Sequence, residues 1–408
     1  MSSHSTNSSS AISEEREAFF LGEVLDNKYL LIYKIGSGAC ASVWLSMNIN
    51  TKKYYAIKIQ NPEDYDDGVA EVDLLKKLST SKCKYINALI EHFIFIDKET
   101  EDEYICMVFE LLAGSLYDII RIGKYSKGLP LKTVRQIINQ LLIAMDIVNR
   151  EHKILHTDIK PENILVVGVN NRDKEIIKLI ENNKNLQNLI NNFKKKGVNL
   201  HDKKKEFKKT LNMISFEEIN YKYNKNKETL QDNIEIIDEK YIIDIQIKLA
   251  DFGLCTPINY SNFDIQTRHY RAPEIILGYE YNENCDMWSV GCLVYELLIG
   301  DVLFNPSKYH NVTTSRCHIY DMICLFGKIP EYLINKSLNK SNFYKQNGTL
   351  KGIYEVEFNP FTSTITAKIA DNQITGHLFD FLNKTFVYDP FKRLTVSDAL
   401  KHPFIREI

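Results

Sequence analysis

Short apolar runs alternate with turn residues in the first third of the chain, a pattern that predicts a small β-sheet. The expected strands are 30–35, Val43–Met47, Tyr54–Ile59, Phe93–Ile96 and Tyr104–Phe109. Gly, Ser, Asn and Lys residues separate the first three runs, as turns require. One helix is expected at Val69–Leu78, because apolar residues recur there at three-residue spacing.

The pattern becomes helical after Ala113-Gly114. Residues 131–149 carry an apolar stripe with the period of an α-helix, so a long amphipathic helix is predicted at Leu131–Asn149. Later helices are expected at Cys285–Ile299, Ile319–Phe326, His377–Phe386 and Val396–His402. The chain therefore predicts an α+β protein with a small β-rich lobe followed by a larger helical lobe.

Two segments differ from this plan in composition. Residues 1–25 are rich in Ser and Glu and predict a disordered leader, because such residues bury too little surface to offset the cost of ordering. Residues 168–246 form a charged insertion rich in Asn and Lys, with eight lysines against two acids in Lys194–Lys209. This composition favours a solvated segment that a few Gly/Ser residues could replace without loss of folding. The lysine-rich part fits either a nuclear signal or partner site, or an exposed linker.

Composition and charge narrow the class of protein. The 408 residues are 44% hydrophobic and 25% charged, which is ordinary globular usage. Lys+Arg 51 against Asp+Glu 53 gives a net charge of −2, which disfavours a protein that neutralises nucleic-acid phosphates. The eight cysteines include no CxxC pair, and no run of 18 apolar residues is present. We expect an intracellular protein of cytoplasm and nucleus, with reduced thiols, no membrane contact and no direct nucleic-acid partner.

The first candidate for chemistry is a glycine-containing turn between two predicted strands. Gly36 and Gly38 would let the backbone of this turn approach phosphate groups closely, although most such pairs are simply turns. Lys58 then lies on a buried strand, where an uncompensated ammonium is costly, and Glu71 on the following helix can supply its anion. Lys58 and Glu71 could instead form an ion pair with a purely structural role, but a buried ion pair is a poor stabiliser in itself.

Two later motifs carry the groups that phosphoryl transfer needs. Asp158 offers a carboxylate that can orient a hydroxyl nucleophile and take its proton, and Lys160 a cation for developing phosphoryl charge. Asn163 and Asp251 offer hard oxygen ligands, which Mg²⁺ prefers when it shares them with substrate phosphates. His156 is expected to be structural and to pack against Phe252.

These motifs together resemble the eukaryotic protein kinases. The residues that carry the resemblance are Gly36, Gly38, Val43, Lys58, Glu71, Asp158, Lys160, Asn163, 251–253, 272–274, 286–289 and Arg393. The family is bilobal, which implies that the leader at 1–25 is followed by an N-lobe at 26–112 and a C-lobe at 113–408, which the insertion 168–246 interrupts.

The resemblance also implies a site that uses ATP and Mg²⁺. The implied nucleotide-binding residues are Ile35, Gly36, Gly38, Val43, Ala56, Lys58, Glu71, Phe109, Glu110 and Leu112. Phe109 would close the adenine pocket, and the adenine would hydrogen bond to the backbone near Glu110–Leu112. Asp158 and Lys160 would be catalytic, and Asn163 and Asp251 would hold the metal.

Within the kinases, Lys160 and Thr267 resemble the serine/threonine enzymes, and Thr267–Glu274 resembles the CMGC group. Strings such as 156–165 and 264–268 look most like the SR-protein kinases, which implies a monomer that phosphorylates Ser in Arg/Ser-rich proteins such as splicing factors. Cys317 and Cys324 stand where that family places two docking acids, which weakens this implication. The alternatives are a proline-directed or dual-specificity kinase, and a pseudokinase scaffold.

Overall fold

The computed structural model describes residues 20–121, 123–193, 200–214, 216, 219, 222–223, 237–258, 263–308, 312–352, 358, 361–368 and 372–406. The chain divides into two compact units. Unit 1 comprises residues 1–80, 87–113 and 168–238, and unit 2 comprises residues 81–86, 114–167 and 239–408.

The strands and helices occupy the following positions along the described residues. The strands are β1 (Val24–Leu25), β2 (Tyr29–Ser37), β3 (Ala41–Asn48), β4 (Tyr54–Gln60), β5 (Glu91–Ile96), β6 (Glu103–Glu110), β7 (Ile154–Leu155), β8 (Ile164–Val166), β9 (Ile247–Leu249) and β10 (Thr256–Pro257). The helices are α1 (Tyr65–Ser79), α2 (Leu116–Arg121), α3 (Leu131–Asp146), α4 (Asn171–Asn182), α5 (Lys184–Asn192), α6 (Leu200–Asn212), α7 (Glu239–Ile243), α8 (Pro273–Leu277), α9 (Cys285–Ile299), α10 (Thr314–Phe326), α11 (Glu331–Lys336), α12 (Lys340–Phe343), α13 (Thr362–Lys368), α14 (Asn372–Thr385), α15 (Val396–Ala399) and α16 (Pro403–Arg406).

Unit 1 is built on a six-stranded antiparallel sheet with the order β1-β2-β3-β4-β6-β5. The five predicted strands and helix α1 are confirmed. The expected leader ends too late, because β1 pairs with β2 and Phe20 is buried against Tyr104 at 5.3 Å between ring centroids. The aromatic and aliphatic side chains at 20–25 therefore belong to the core, while residues 1–19 lie outside the described part.

The insertion differs most from expectation. Its described helices α4, α5 and α6 belong to unit 1 and bury apolar side chains against the sheet residues Leu30, Ile32, Leu45 and Met47. The insertion residues that are buried in this cluster are Ile176, Ile180, Leu186, Ile190, Phe193, Phe207, Leu211, Ile219 and Tyr223. These residues are in a common hydrophobic cluster with the sheet, so the described part of the insertion is not a solvated segment.

A close backbone contact supports the same conclusion. Gly22 has φ +77°, and a Cβ at this position would lie 2.7 Å from the Cα of Lys208 in α6. Only glycine fits such an approach, because the neighbouring atom belongs to a backbone and cannot move aside. The insertion therefore packs against the start of the described chain as well as against the sheet.

Unit 2 is mainly helical and confirms the predicted lobe. The long helix α3 has the expected amphipathic stripe, and its last turn continues as a wider helical turn to Glu151. Helix α9 is buried along almost its whole length, and Trp288 on it packs against Phe304 and Phe386. A fully buried ion pair joins Glu274 to Arg393, with N–O distances of 2.5 and 2.8 Å. No helix in the described ranges is long and apolar enough to cross a membrane.

Candidate active site

The site residues of unit 1 begin with the hairpin between β2 and β3. The Gly38 N–H donates to the Ala41 carbonyl at 2.8 Å, which closes the turn, and Gly36 lies opposite Val43. A Cβ on Gly36 would meet its nearest atom at 3.5 Å, and one on Gly38 at 3.8 Å, both ordinary contact distances. The fold itself therefore does not require glycine here, which fits a turn kept bare for a ligand.

Lys58 and Glu71 meet as the sequence predicts. The Lys58 Nζ lies 2.9 and 2.7 Å from the two carboxylate oxygens of Glu71, which is 4% exposed. Lys58 sits on the central strand β4 between Val43 and Met107, while Glu71 comes from α1. The helix thus fixes the carboxylate that holds the ammonium in place, and a charge-assisted pair of this kind is strong.

The remaining residues of the implied nucleotide pocket lie on the same sheet or directly after its strand β6. Ala56 on β4 pairs with Phe109 on β6, which is buried. Ile35 and Ala56 pack at the edge of the hydrophobic cluster that the insertion shares. Glu110 is exposed at the end of β6, and Leu112 is buried two residues later.

Unit 2 brings the predicted catalytic residues together around Asp158, which is 4% exposed. Lys160 Nζ lies 2.6 Å from Oδ2 of Asp158, and the Thr267 hydroxyl donates to Oδ1 at 2.6 Å. The Asn163 side-chain amide donates to the backbone carbonyl of Asp158 at 2.9 Å and to Oδ2 at 3.0 Å. The carboxylate is thus oriented from three sides, and one of its partners is a threonine hydroxyl.

The predicted metal residues lie at the ends of one short strand pair. Ile164 on β8 pairs with Leu249 on β9, and the Ala250 N–H donates to the Asn163 carbonyl at 2.9 Å. Asp251, the next residue, is exposed and has φ 64°, a left-handed conformation that costs energy outside glycine. Strain of this kind is typical of functional sites, and two oxygen-bearing side chains here would suit a magnesium ion shared with phosphates.

His156 has a structural position, as expected. Its ring packs edge-on against Phe252 at 5.1 Å, and Nε2 lies 3.1 Å from the Ala250 carbonyl. Burial lowers the pKa of this imidazole despite the nearby carboxylates of Asp158 and Asp251. The ring is therefore held neutral at physiological pH and is not a suitable proton acceptor.

Asp286 holds the backbone of the catalytic loop, the segment 156–163 that carries Asp158. The sequence motif that contains Asp286 did not reveal this role. This fully buried carboxylate accepts hydrogen bonds from the backbone N–H groups of His156 at 2.8 Å and Thr157 at 3.1 Å. Burial raises its pKa to about 7, although these hydrogen bonds act in the opposite direction. Thr157 has φ 65°, so the carboxylate stabilises a strained backbone next to Asp158.

Two further residues near the site were not predicted. Gln266 has φ 69°; its side chain accepts from the Ala272 N–H at 2.8 Å and donates to the Cys285 carbonyl at 3.0 Å. Glu296 is fully buried and accepts from the Tyr270 hydroxyl at 2.5 Å. A single polar residue gives no periodic pattern along the chain. The sequence therefore offered no means of identifying Gln266 or Glu296.

Comparison with known families identifies the class. A model described as the protein kinase domain matches residues 29–192 and 183–405, which is most of the chain. The chain therefore belongs to the protein kinase domain family. The bilobal fold class and the enzyme class expected from sequence are confirmed.

Individual relatives narrow the class of protein kinase further. A serine/threonine-protein kinase of Acanthamoeba polyphaga mimivirus is 30% identical over 97% of this chain and 90% of its own length. The serine/threonine-protein kinase SRPK of Physarum polycephalum is 30% identical over 95% of this chain and 88% of its own length. Protein kinase dsk1 of Schizosaccharomyces pombe is 26% identical over 95% of this chain and 82% of its own length. The chain is a serine/threonine protein kinase of the CMGC group, and its family implies the use of ATP and a divalent metal.

Proposed function

We propose that this kinase transfers the γ-phosphoryl group of ATP to serine hydroxyls, and less often threonine hydroxyls, of Arg/Ser-rich proteins. The observation that carries the phosphoryl-transfer part is the arrangement at Asp158. A hydroxyl group, that of Thr267, already donates to its Oδ1, so this carboxylate is oriented to accept a hydroxyl proton. Lys160 stands 2.6 Å from the other oxygen, where it can stabilise charge on the transferred group.

The residues present fit ATP and Mg²⁺. Gly36 and Gly38 leave two positions at the turn between β2 and β3 without a side chain, and Lys58, held by Glu71, offers a fixed cation for phosphate oxygens. Asn163 and Asp251 offer few, hard oxygen ligands, as a magnesium ion bound together with phosphates requires. The described residues hold no group of three or more His, Cys, Asp or Glu side chains that could bind a metal on their own. A magnesium ion at Asn163 and Asp251 would therefore take its other ligands from the phosphates of the nucleotide.

The substrate class is supported by acidic groups in unit 2. Glu162, four residues after Asp158, and Asp301, just after α9, both act electrostatically on Glu296. Together with burial, the main cause, they raise the pKa of the Glu296 carboxyl to about 7. Glu296 is buried and already paired with Arg121 at 3.4 Å, whereas Glu162 and Asp301 are exposed. An arginine side chain of a substrate would form charge-assisted hydrogen bonds with these two exposed carboxylates. The sequence resemblance to the SR-protein kinases implies such substrates, and relatives named SRPK and dsk1 match most of the chain.

Docking of long substrates is expected to be weak. Cys317 and Cys324 lie on α10, where the resemblance implies acids, and the helix sets Asp321 one turn from both. Asp321 is partly buried, and burial raises its pKa to about 6, so it compensates only in part. Phosphorylation of long Arg/Ser repeats should therefore be less processive than phosphorylation by an enzyme with two acids here.

Peptide preference and a charge-restoring variant test the proposal. Arg-Ser peptides are expected to give a higher kcat/KM than Ser-Pro or tyrosine peptides, and the reverse order would overturn the substrate class. The double variant Cys317→Asp/Cys324→Glu should raise kcat/KM on a long Arg/Ser repeat but not on a short peptide. The matched control Leu338→Asp/Phe391→Glu adds the same charge at exposed positions of unit 2 and should change neither. If both double variants behave alike, the docking argument fails.

A further inference from the structure

The residue before Thr267 is held in a strained conformation. Gln266 is 4% exposed and has φ 69°, in the left-handed region that a glutamine adopts only at a cost in energy. Arg271 fixes its backbone carbonyl, because Nε and Nη2 of this guanidinium donate to it at 3.0 and 2.7 Å. Backbone strain that the surroundings maintain in this way is typical of functional sites.

The side chain of Gln266 ties its segment to the start of α9. Its Nε2 donates to the Cys285 carbonyl at 3.0 Å and to the Ser289 hydroxyl at 3.2 Å. Its Oε1 accepts from the Ala272 N–H at 2.8 Å. One buried amide therefore joins both ends of the segment 266–272 to a helix that is buried along almost its whole length.

Thr267, the next residue, bridges the two predicted catalytic residues. Its hydroxyl donates to Oδ1 of Asp158 at 2.6 Å and accepts from Nζ of Lys160 at 3.1 Å. The side chain is β-branched and has few rotamers, so the place of the hydroxyl follows the place of the backbone. A shift of the backbone at 266–267 would therefore change both hydrogen bonds together.

The same turn of α9 also holds the catalytic loop. The carboxylate of Asp286 accepts from two backbone N–H groups of that loop at 2.8 and 3.1 Å, and Cys285, to which Gln266 donates, directly precedes it. Adjacent residues of one buried helix thus fix Asp158 from one side and Thr267 from the other. The distance between the carboxylate and the hydroxyl is set from a single turn.

We propose that Gln266 is a positioning residue for phosphoryl transfer, and that its side-chain amide sets the place of Thr267 relative to Asp158. This inference rests on the proton-accepting role proposed for Asp158. Gln266 acts through the Thr267 hydroxyl, which keeps the carboxylate and the Lys160 ammonium in a fixed arrangement. Fixed geometry of the reacting groups contributes to kcat, so loss of the amide should lower kcat rather than weaken nucleotide binding.

A double-mutant cycle between Gln266 and Thr267 tests the proposal. Gln266→Met keeps the length of the side chain and removes its three hydrogen bonds. With Thr267 present, this change should lower kcat about tenfold and alter KM for ATP less than about twofold. In a Thr267→Val background it should lower kcat less than about twofold, because the hydroxyl that Gln266 places is already absent. Equal losses in the two backgrounds, or a rise in KM for ATP as large as the fall in kcat, would overturn the proposal.

A second buried glutamine of unit 2 provides a matched control. Gln140 in α3 donates to the Ile245 carbonyl at 2.7 Å and accepts from the Ile247 N–H at 2.9 Å, so it also binds backbone at both ends of its amide. Gln140→Met should lower the Tm comparably, and its effect on kcat should be the same with and without the Thr267 hydroxyl. An effect of Gln140→Met that also depends on Thr267 would overturn the specific role of Gln266.

Ser289→Ala is a milder variant that decides the matter if Gln266→Met does not fold. The Ser289 hydroxyl accepts from Gln266 and donates to the Tyr270 carbonyl at 2.8 Å, and alanine is well tolerated in a helix. This variant should lower kcat about threefold, and only when Thr267 is present. An equal loss in the Thr267→Val background would overturn the proposal.

Two measurements separate failure of this inference from failure of the proposed function. All kcat values are taken on whichever of the Arg-Ser and Ser-Pro peptides the wild type phosphorylates faster, so the substrate class does not affect the cycle. Near-native kcat of Asp158→Asn would refute the proposed chemistry and this inference with it. If Asp158→Asn is inactive while the effects of Gln266→Met and Thr267→Val are additive, only the positioning role of Gln266 is refuted.

Discussion

The role of the insertion as part of the core can be tested on two neighbouring residues of α4. Ile180 is completely buried in the cluster shared with the sheet, whereas Leu179, one residue earlier, is 40% exposed. Replacing each by alanine shortens an aliphatic side chain by three carbons in the same helix. The pair therefore separates core packing from any effect on helix propensity.

The expected magnitude follows from burial. Ile180→Ala removes three buried carbons, which costs about 2.4 kcal/mol of transfer free energy. The cavity left behind brings the total loss in the free energy of unfolding to about 2–5 kcal/mol. Leu179→Ala should cost less than about 1 kcal/mol, because most of the removed group is in contact with water.

Unfolding of unit 1 can be followed separately from unit 2. The chain has two tryptophans, Trp44 in the sheet of unit 1 and Trp288 in α9 of unit 2. With 5-fluorotryptophan labelling, each gives its own fluorine resonance during urea titration. Ile180→Ala should shift the Trp44 midpoint far more than Leu179→Ala does. A difference below about 0.5 kcal/mol between the two variants would refute the role of the insertion in the core.

Three further results are expected. Asp158→Asn should lower kcat by orders of magnitude with an unchanged circular dichroism spectrum, and near-native kcat would remove Asp158 from the chemistry. Enzyme made in bacteria should be active, and phosphatase treatment should not change kcat, because Thr157 cannot pair with a loop phosphate as an arginine would; loss of activity would contradict this. Since burial raises the pKa of Asp321 to about 6, its carboxylate is mostly protonated at pH 5 and mostly ionised at pH 7. For long Arg/Ser substrates, kcat/KM should therefore rise from pH 5 to pH 7 in the wild type and less so in Asp321→Asn, with the same rise in both excluding a role for Asp321.

Much of the fold could be predicted because its elements carry a strong local signal. The apolar stripe of α3 repeats over four turns, and the strands of unit 1 are short β-branched and aromatic runs bounded by turn residues. The contact between Lys58 and Glu71 could also be predicted, because a buried ammonium needs an anion nearby. The support that Asp286 gives to the catalytic loop could not, because it joins residues 130 positions apart.

The insertion shows how composition can hide a core. Its lysines and asparagines dominate any average over the segment, yet three apolar pairs stand four residues apart: Ile176 and Ile180, Leu186 and Ile190, Phe207 and Leu211. Each pair places two side chains on one helical face, and each residue in them is buried. The spacing was the usable signal, whereas composition describes only the solvated face of the same helices.

Many kinases place an arginine just before the catalytic aspartate, and Thr157 stands at that position here. The Thr157 hydroxyl donates to the Leu254 carbonyl at 2.7 Å, while its backbone N–H donates to the carboxylate of Asp286. One residue thus ties the catalytic loop to the segment after Asp251 and to the buried helix α9. These bonds involve no phosphate, and they hold Thr157 in a left-handed conformation that would otherwise relax. We therefore expect the hydroxyl of Thr157 and the buried carboxylate of Asp286 to supply the order that many kinases obtain from a phosphorylated loop.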